Sequence, residues 1–110
     1  MAEPLDYDVL LNRRYVVGIL MLIYDNERAM ATDMLRVGKN YNSVISAAAD
    51  LEEAGLITKH LEEGKRLMKI YELTPMGRMV ARLLVATNKI VTGEMDYSDE
   101  SVEAYLRDSA

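Results

Sequence analysis

The chain has 110 residues, half of them apolar and 28% charged, with no cysteine and a net charge of −5. That is the profile of one globular domain, and the missing cysteines exclude disulfides and thiolate metal sites, leaving a reducing cytoplasm as the expected compartment. The longest unbroken apolar run, Val16-Val-Gly-Ile-Leu-Met-Leu-Ile23, is far shorter than the ~20 residues that span a bilayer, so no membrane association is expected.

The acidity is local. Beyond residue 91 stand one base, Arg107, and six acids, Glu94, Asp96, Asp99, Glu100, Glu103 and Asp108. Removing these from the 13 bases and 18 acids leaves residues 1–91 neutral, so the body of the chain is free to present a basic face. The division that follows is a domain over 1–91 and an acidic C-terminal tail over 92–110.

In chain order, the first helix is expected from about Leu10 to Tyr24. Apolar residues fill nearly every position after Tyr15, which predicts more than one buried face. Arg13-Arg14 before this run and Ala29-Met30-Ala31 after it imitate a secretion signal. Asp25, Glu27 and Arg28 intervene where such a signal is uncharged, which favours a buried helix. A second, shorter helix is expected over about Ala29 to Val37, from Met30, Met34 and Val37 at i, i+4 and i+7. Gly38-Lys39-Asn40 breaks it, with Gly38 read as a left-handed helix end and Asn40 or Asn42 as the cap of the next helix.

That third helix spans about Tyr41 to Ala54, its inner face marked by Val44, Ala48 and Leu51, and Gly55 stops it. A hairpin follows, with strands over 56–61 and 67–73 joined by the polar Glu62-Glu63-Gly64-Lys65-Arg66. Thr74-Pro75 is a hydroxyl cap followed by a first-turn proline. The fourth helix runs from Pro75 to about Ile90 with an apolar band broader than one packing face needs, and Gly93 ends it. A short acidic helix is expected from Asp99 to Arg107.

Helix, short helix, glycine turn, helix, hairpin and helix is the order of a winged helix-turn-helix, mainly α with a small β-hairpin wing. Two local patterns sharpen this. Asp50-Leu-Glu-Glu-Ala-Gly-Leu-Ile57, then a hairpin, then Tyr71-Glu-Leu-Thr-Pro-Met-Gly77, resembles transcription regulators of the MarR and PadR type over about Arg13 to Leu84. The resemblance implies a DNA-binding regulator whose partner is double-stranded DNA. It makes 41–54 the recognition helix, with Tyr41, Asn42, Ser43 and Ser46 outward, and 62–66 the wing, with Lys65 and Arg66 at its tip. Arg36 and Lys39 are then further phosphate contacts, and Lys59 and Lys69 extend the patch along the strands. The chain departs from the pattern at Ile45, Ala49 and Asp50, read here as outward positions where relatives often carry Arg or Lys. A winged helix that binds protein instead, inside a transcription or chromatin assembly, is the alternative.

The apolar surplus on the first and fourth helices predicts a homodimer joined through Val16, Val17, Leu20, Ile23, Leu83, Leu84 and Ile90 together with the C-terminal helix. A single tight core that absorbs all of them is the competing arrangement. The acidic tail is read as a solubilising segment, with shielding of the basic wing or contact with a partner as the alternatives. His60 is the sole histidine, and Glu52-Glu53 and Glu62-Glu63 are neighbours that point apart, so no residue set converges on catalysis or metal binding. Gly64-Lys65 lacks a phosphate-cradling loop. No enzyme activity and no cofactor are expected, and no effector is specified.

Overall fold

The computed structural model describes residues 10–109. Four α-helices, α1 (Val16–Asn26), α2 (Tyr41–Glu53), α3 (Pro75–Val91) and α4 (Asp99–Asp108), accompany three strands, β1 (Arg28–Met30), β2 (Ile57–Glu63) and β3 (Leu67–Leu73). The strands form one antiparallel sheet in the order β1-β3-β2. Short 3-10 turns occupy Leu10–Asn12 and Ala31–Arg36. Among the described residues no helix is long and apolar enough to cross a membrane.

α1 is the central rod, packed by α2, α3, β1 and β3. Val16, Ile19, Leu20 and Ile23 are fully buried there, and meet Met34, Val44, Ala48, Leu51, Ile57 and Tyr71 in one core. This use of α1 corrects the dimer face: Val16, Leu20 and Ile23 are consumed by one chain's own core and are not available to a second. Val17, Leu83, Leu84 and Ile90 keep some exposure.

The expected second helix is also corrected. Its first residues are β1, where Ala29 lies opposite Tyr71 and Met30 opposite Ile70. Only Ala31–Arg36 is helical, as a 3-10 turn started by Asp33, whose carboxylate accepts from the Met30 amide at 2.8 Å. Met34 still points inward and is fully buried. Gly38 does not adopt the left-handed conformation; it is small because the Tyr15 ring lies against it, and a Cβ there would fall 2.4 Å from Tyr15 Cε1.

The remaining boundaries follow local chemistry. Asn40 caps α2 by accepting from the Ser43 amide at 3.1 Å, and Gly55 ends that helix region at φ +83°. Thr74 accepts from the Gly77 amide at 3.0 Å, capping α3, and donates to the Gly55 carbonyl at 2.7 Å, which locks the start of α3 to the end of α2. Gly77 passes so close to Leu56 that a Cβ would lie 1.8 Å from the Leu56 carbonyl oxygen. The buried Arg82 donates to Ser109 Oγ at 3.2 Å, and Lys89 sits 5.7 Å from the Tyr105 ring centroid, which together hold α4 on α3.

Candidate nucleic-acid interface

The N-terminal turn of α2 stands at the surface. Tyr41, Asn42, Ser43 and Ser46 are exposed, while Val44, Ala47, Ala48 and Leu51 turn inward. That 3.6-residue alternation presents the helix as a rod with a polar outer edge, the shape that enters a major groove. Ile45 faces partly into the core, so it is not the outward departure that the sequence pattern suggested. Ala49 is exposed, and Asp50 is bound by Arg13 at 3.2 Å.

Two clefts flank this turn. One, of about 300 Å³, is lined by Met30, Ala31, Thr32 and Tyr41 on one side and by Arg66, Leu67, Met68 and Lys69 of the wing on the other. The second, of about 700 Å³, is lined by Arg14, Tyr15, Val37, Gly38, Lys39, Asn40 and Ser43. Each cleft therefore carries two cations next to the amide-rich end of α2, where backbone N–H groups and the helix dipole favour an anion. Arg14 was not among the sequence-predicted contacts. Its guanidinium lies 4.8 Å from the Tyr15 ring centroid, and that ring rests on Gly38, which carries Arg14 to the side of Lys39. The Arg13-Arg14 pair was visible in the sequence, but nothing local places it beside α2.

The charged groups divide sharply by pairing. Among the described residues, Arg36, Lys39, Lys65, Arg66 and Lys69 are exposed and form no ion pair with this chain. Arg78, on α3, is the other exposed cation in that condition besides Arg14. Lys59 differs from its companions, since its ammonium lies 3.9 Å from Glu52 of α2. Three carboxylates of α2 and the wing are partnered, Asp50 by Arg13, Glu52 by Lys59, and Glu62 by both Arg28 and His60, whereas Glu53 and Glu63 are exposed and form no ion pair among the described residues.

That last cluster crosses the whole sheet. Arg28 on β1 bonds Glu62 on β2, His60 Nε2 lies 2.8 Å from Glu62, and His60 Nδ1 lies 3.4 Å from Glu72 on β3. The hydrogen bond from His60, and then that from Arg28, hold the Glu62 carboxyl below its ordinary range. His60 is thus a structural tie at the base of the wing. Tyr71, beneath the wing, has its hydroxyl pushed upward by burial, with Tyr41 and Glu52 adding to the effect.

No family model matches the chain, and no curated protein matches it in sequence. Solved structures do. A transcriptional regulator homologue from Pyrococcus horikoshii OT3 superposes with a TM-score of 0.66 at 19% identity, over 80% of this chain and 89% of that one. A transcriptional regulator of the MarR family from Porphyromonas gingivalis W83 gives 0.62 at 15% identity, over 83% and 97%. A transcriptional regulator from Clostridium thermocellum gives 0.53 at 18% identity, over 82% and 93%. At these identities the similarity establishes the fold: the chain is a winged helix with the architecture of these regulators, mainly α with a small antiparallel wing.

Proposed function

We propose that the protein is a DNA-binding transcription regulator of the cytoplasm that works as a homodimer, with α2 in the major groove and the wing on the backbone or minor groove. One observation carries this reading: the exposed N-terminal turn of α2 lies between two clefts, each lined by two cations, Arg14 with Lys39 and Arg66 with Lys69. Phosphates on either side of a groove are the ligands that such a pair of clefts fits. Asn42, with both a donor and an acceptor, suits adenine, and Ser43 and Ser46 suit base or phosphate. The acidic α4 adds charge that favours solubility.

The dimer rests on α3. Met76, Met79, Leu83 and Ile90 recur along one stripe of that helix, with the first three prominently exposed. The chain is also less compact than its length allows: its radius of gyration is 15.9 Å, against about 13 Å for a domain of this size. A second copy against the α3 stripe and α4 gives those surfaces a partner, and reading two half-sites requires that dimer to hold its two copies of α2 about one DNA turn apart, ~34 Å.

Fluorescence anisotropy of the purified chain against a pool of genomic duplexes tests the reading. Binding that weakens steeply with salt is expected. No binding at low salt overturns it and leaves the winged helix as a protein-binding module.

A further inference from the structure

β2 and β3 run past the end of β1, whose last paired residue is Met30, opposite Ile70. Beyond that point the wing is a two-stranded ribbon. On one face of the whole hairpin the cross-strand pairs are Lys59 with Tyr71, still beside β1, and then, beyond it, Leu61 with Lys69 and Glu63 with Leu67. This is the face over which α2 lies, because Lys59 reaches Glu52 from it and Tyr71 is buried on it. Farther out, Leu61 is 59% and Leu67 64% exposed. Their positions are diagonal on adjacent strands, a spacing at which long side chains meet. Neither leucine belongs to the core, and Leu67 lines the cleft that also holds Tyr41, Arg66 and Lys69.

Two exposed leucines on a ribbon tip are a liability without a partner. Their surroundings define that partner. Lys65 and Arg66 stand at the tip and Lys69 lies opposite Leu61, all exposed and outside any ion pair among the described residues. Glu63 is the one carboxylate among these outer pairs, since Glu62 points to the other face and is held there by Arg28 and His60. A second copy does not fit, because two leucines fall far short of the ~1,200 Å² that a stable protein interface buries. A polyanion with apolar interior surface does fit, and stacked base pairs behind a phosphate backbone are that surface.

Resting on the DNA-binding reading, we propose that Leu67, backed by Leu61, is a minor-groove wedge that presses between base pairs while Lys65, Arg66 and Lys69 hold the flanking phosphates. A leucine cannot read hydrogen-bond donors and acceptors on base edges. It leaves water only where a step opens, so the wing selects duplexes by how readily they unstack and bend. Pyrimidine–purine steps open readily and A-tracts resist, so the wedge favours the former at positions where no base edge is contacted.

The test uses the full chain and two end-labelled duplexes that differ only outside the major-groove site, one rich in TpA and CpA steps and one carrying A-tracts. Anisotropy gives affinity, and energy transfer between the duplex ends gives bending. The wild-type chain is expected to bend the flexible duplex and to prefer it by about tenfold. Leu61→Ser with Leu67→Ser, both at exposed sites, is expected to lose the bend and the preference while keeping the salt dependence. Leu67→Arg is expected to bind at least as tightly as wild type without bending. A serine variant that keeps both bend and preference overturns the wedge, as does wild-type binding to straight DNA without preference; both leave the regulator reading intact. A change in the sedimenting mass of the serine variant also overturns it, by showing that the leucines cover another copy. No binding to either duplex at low salt removes the regulator reading and the wedge together.

Discussion

Replacing Lys65 and Arg66 together by alanine isolates the electrostatic part of the proposed interface. Each phosphate neutralised by a cation releases condensed counterions, so the logarithm of the binding constant falls with the logarithm of salt by about 0.9 per contact. Arg14, Lys39, Arg66 and Lys69 line the two clefts beside α2, Lys65 stands at the wing tip, and Arg36 ends the 3-10 turn packed on α2, on a separate cleft shared with Gly18, Leu22 and Asp25; all six are exposed and unpaired. If each takes one phosphate, the slope is about −5 per protomer, and affinity falls roughly a thousandfold between 50 and 200 mM salt. Removing two contacts makes the slope gentler by about 1.8 per protomer, twice that for a dimer with both wings engaged, and reduces the loss over the same range to about a hundredfold. Anisotropy titrations at four or more salt concentrations (roughly spanning that range) measure the slope directly. Both residues are exposed in the turn, so the fold is expected to survive, and an unchanged unfolding temperature checks that. Arg107→Ala, on the acidic α4, serves as the control and leaves the slope in place. If Lys65→Ala with Arg66→Ala weakens binding equally at every salt concentration, the wing does not contact phosphate and the placement of the interface is wrong.

Three further outcomes are expected. Gly77→Ala forces a Cβ into the Leu56 carbonyl, a backbone atom that cannot swing away, so it should cost several kcal/mol, at the severe end for one substitution, and show as a large drop in the urea midpoint. Leu83→Glu puts a charge in the middle of the exposed α3 stripe and should convert a dimer of twice the chain mass to monomer in sedimentation without lowering helicity; an unchanged mass refutes the α3 interface. Glu62, whose carboxyl is held below its ordinary range by His60 and Arg28, stabilises the fold above that range and loses the contribution as pH falls through its own lowered value. Glu62→Gln should therefore lower the unfolding temperature slightly at neutral pH and flatten its fall in acid, the site being exposed enough for solvent to screen most of the effect.

The elements legible in the sequence are those whose signals are local. α2, α3, α4 and the two long strands lie within a few residues of their expected places, because Asn40, Gly55 and Thr74 mark ends by their own chemistry and periods of 3.6 and 2 mark what lies between. β1 was not legible. Met30, Met34 and Val37 imitate a helical stripe, whereas Arg28–Met30 becomes a strand only because β3 offers an edge, with partners from Glu72 to Ile70 far along the chain. Gly38 was misread for the same reason, since its small size answers to the Tyr15 ring rather than to its own dihedral angles. The surplus of apolar residues on α1 was visible, but not that four neighbouring elements absorb it. The wing leucines look like ordinary half-buried strand residues until the register shows the ribbon outrunning β1 and their exposure shows that the core leaves them out.

A net charge of −5 and the proposed DNA-binding role are reconciled by where charge is paired rather than by how much there is. Around α2 three carboxylates are partnered, Asp50 with Arg13, Glu52 with Lys59 and Glu62 with Arg28, which leaves Glu53 and Glu63 against the six exposed, unpaired cations of the turn and wing. Paired carboxylates at these half-exposed sites present little field to a duplex, and salt screens the distant acids of α4 over a Debye length of about 10 Å. In the proposed complex Lys39 and Lys65 act inside that length, at contact with the phosphates. On the proposed reading such a surface gains little from long-range attraction and depends on short-range fit, so the shape of the duplex, and its willingness to bend around the wing, is expected to be as decisive as its charge.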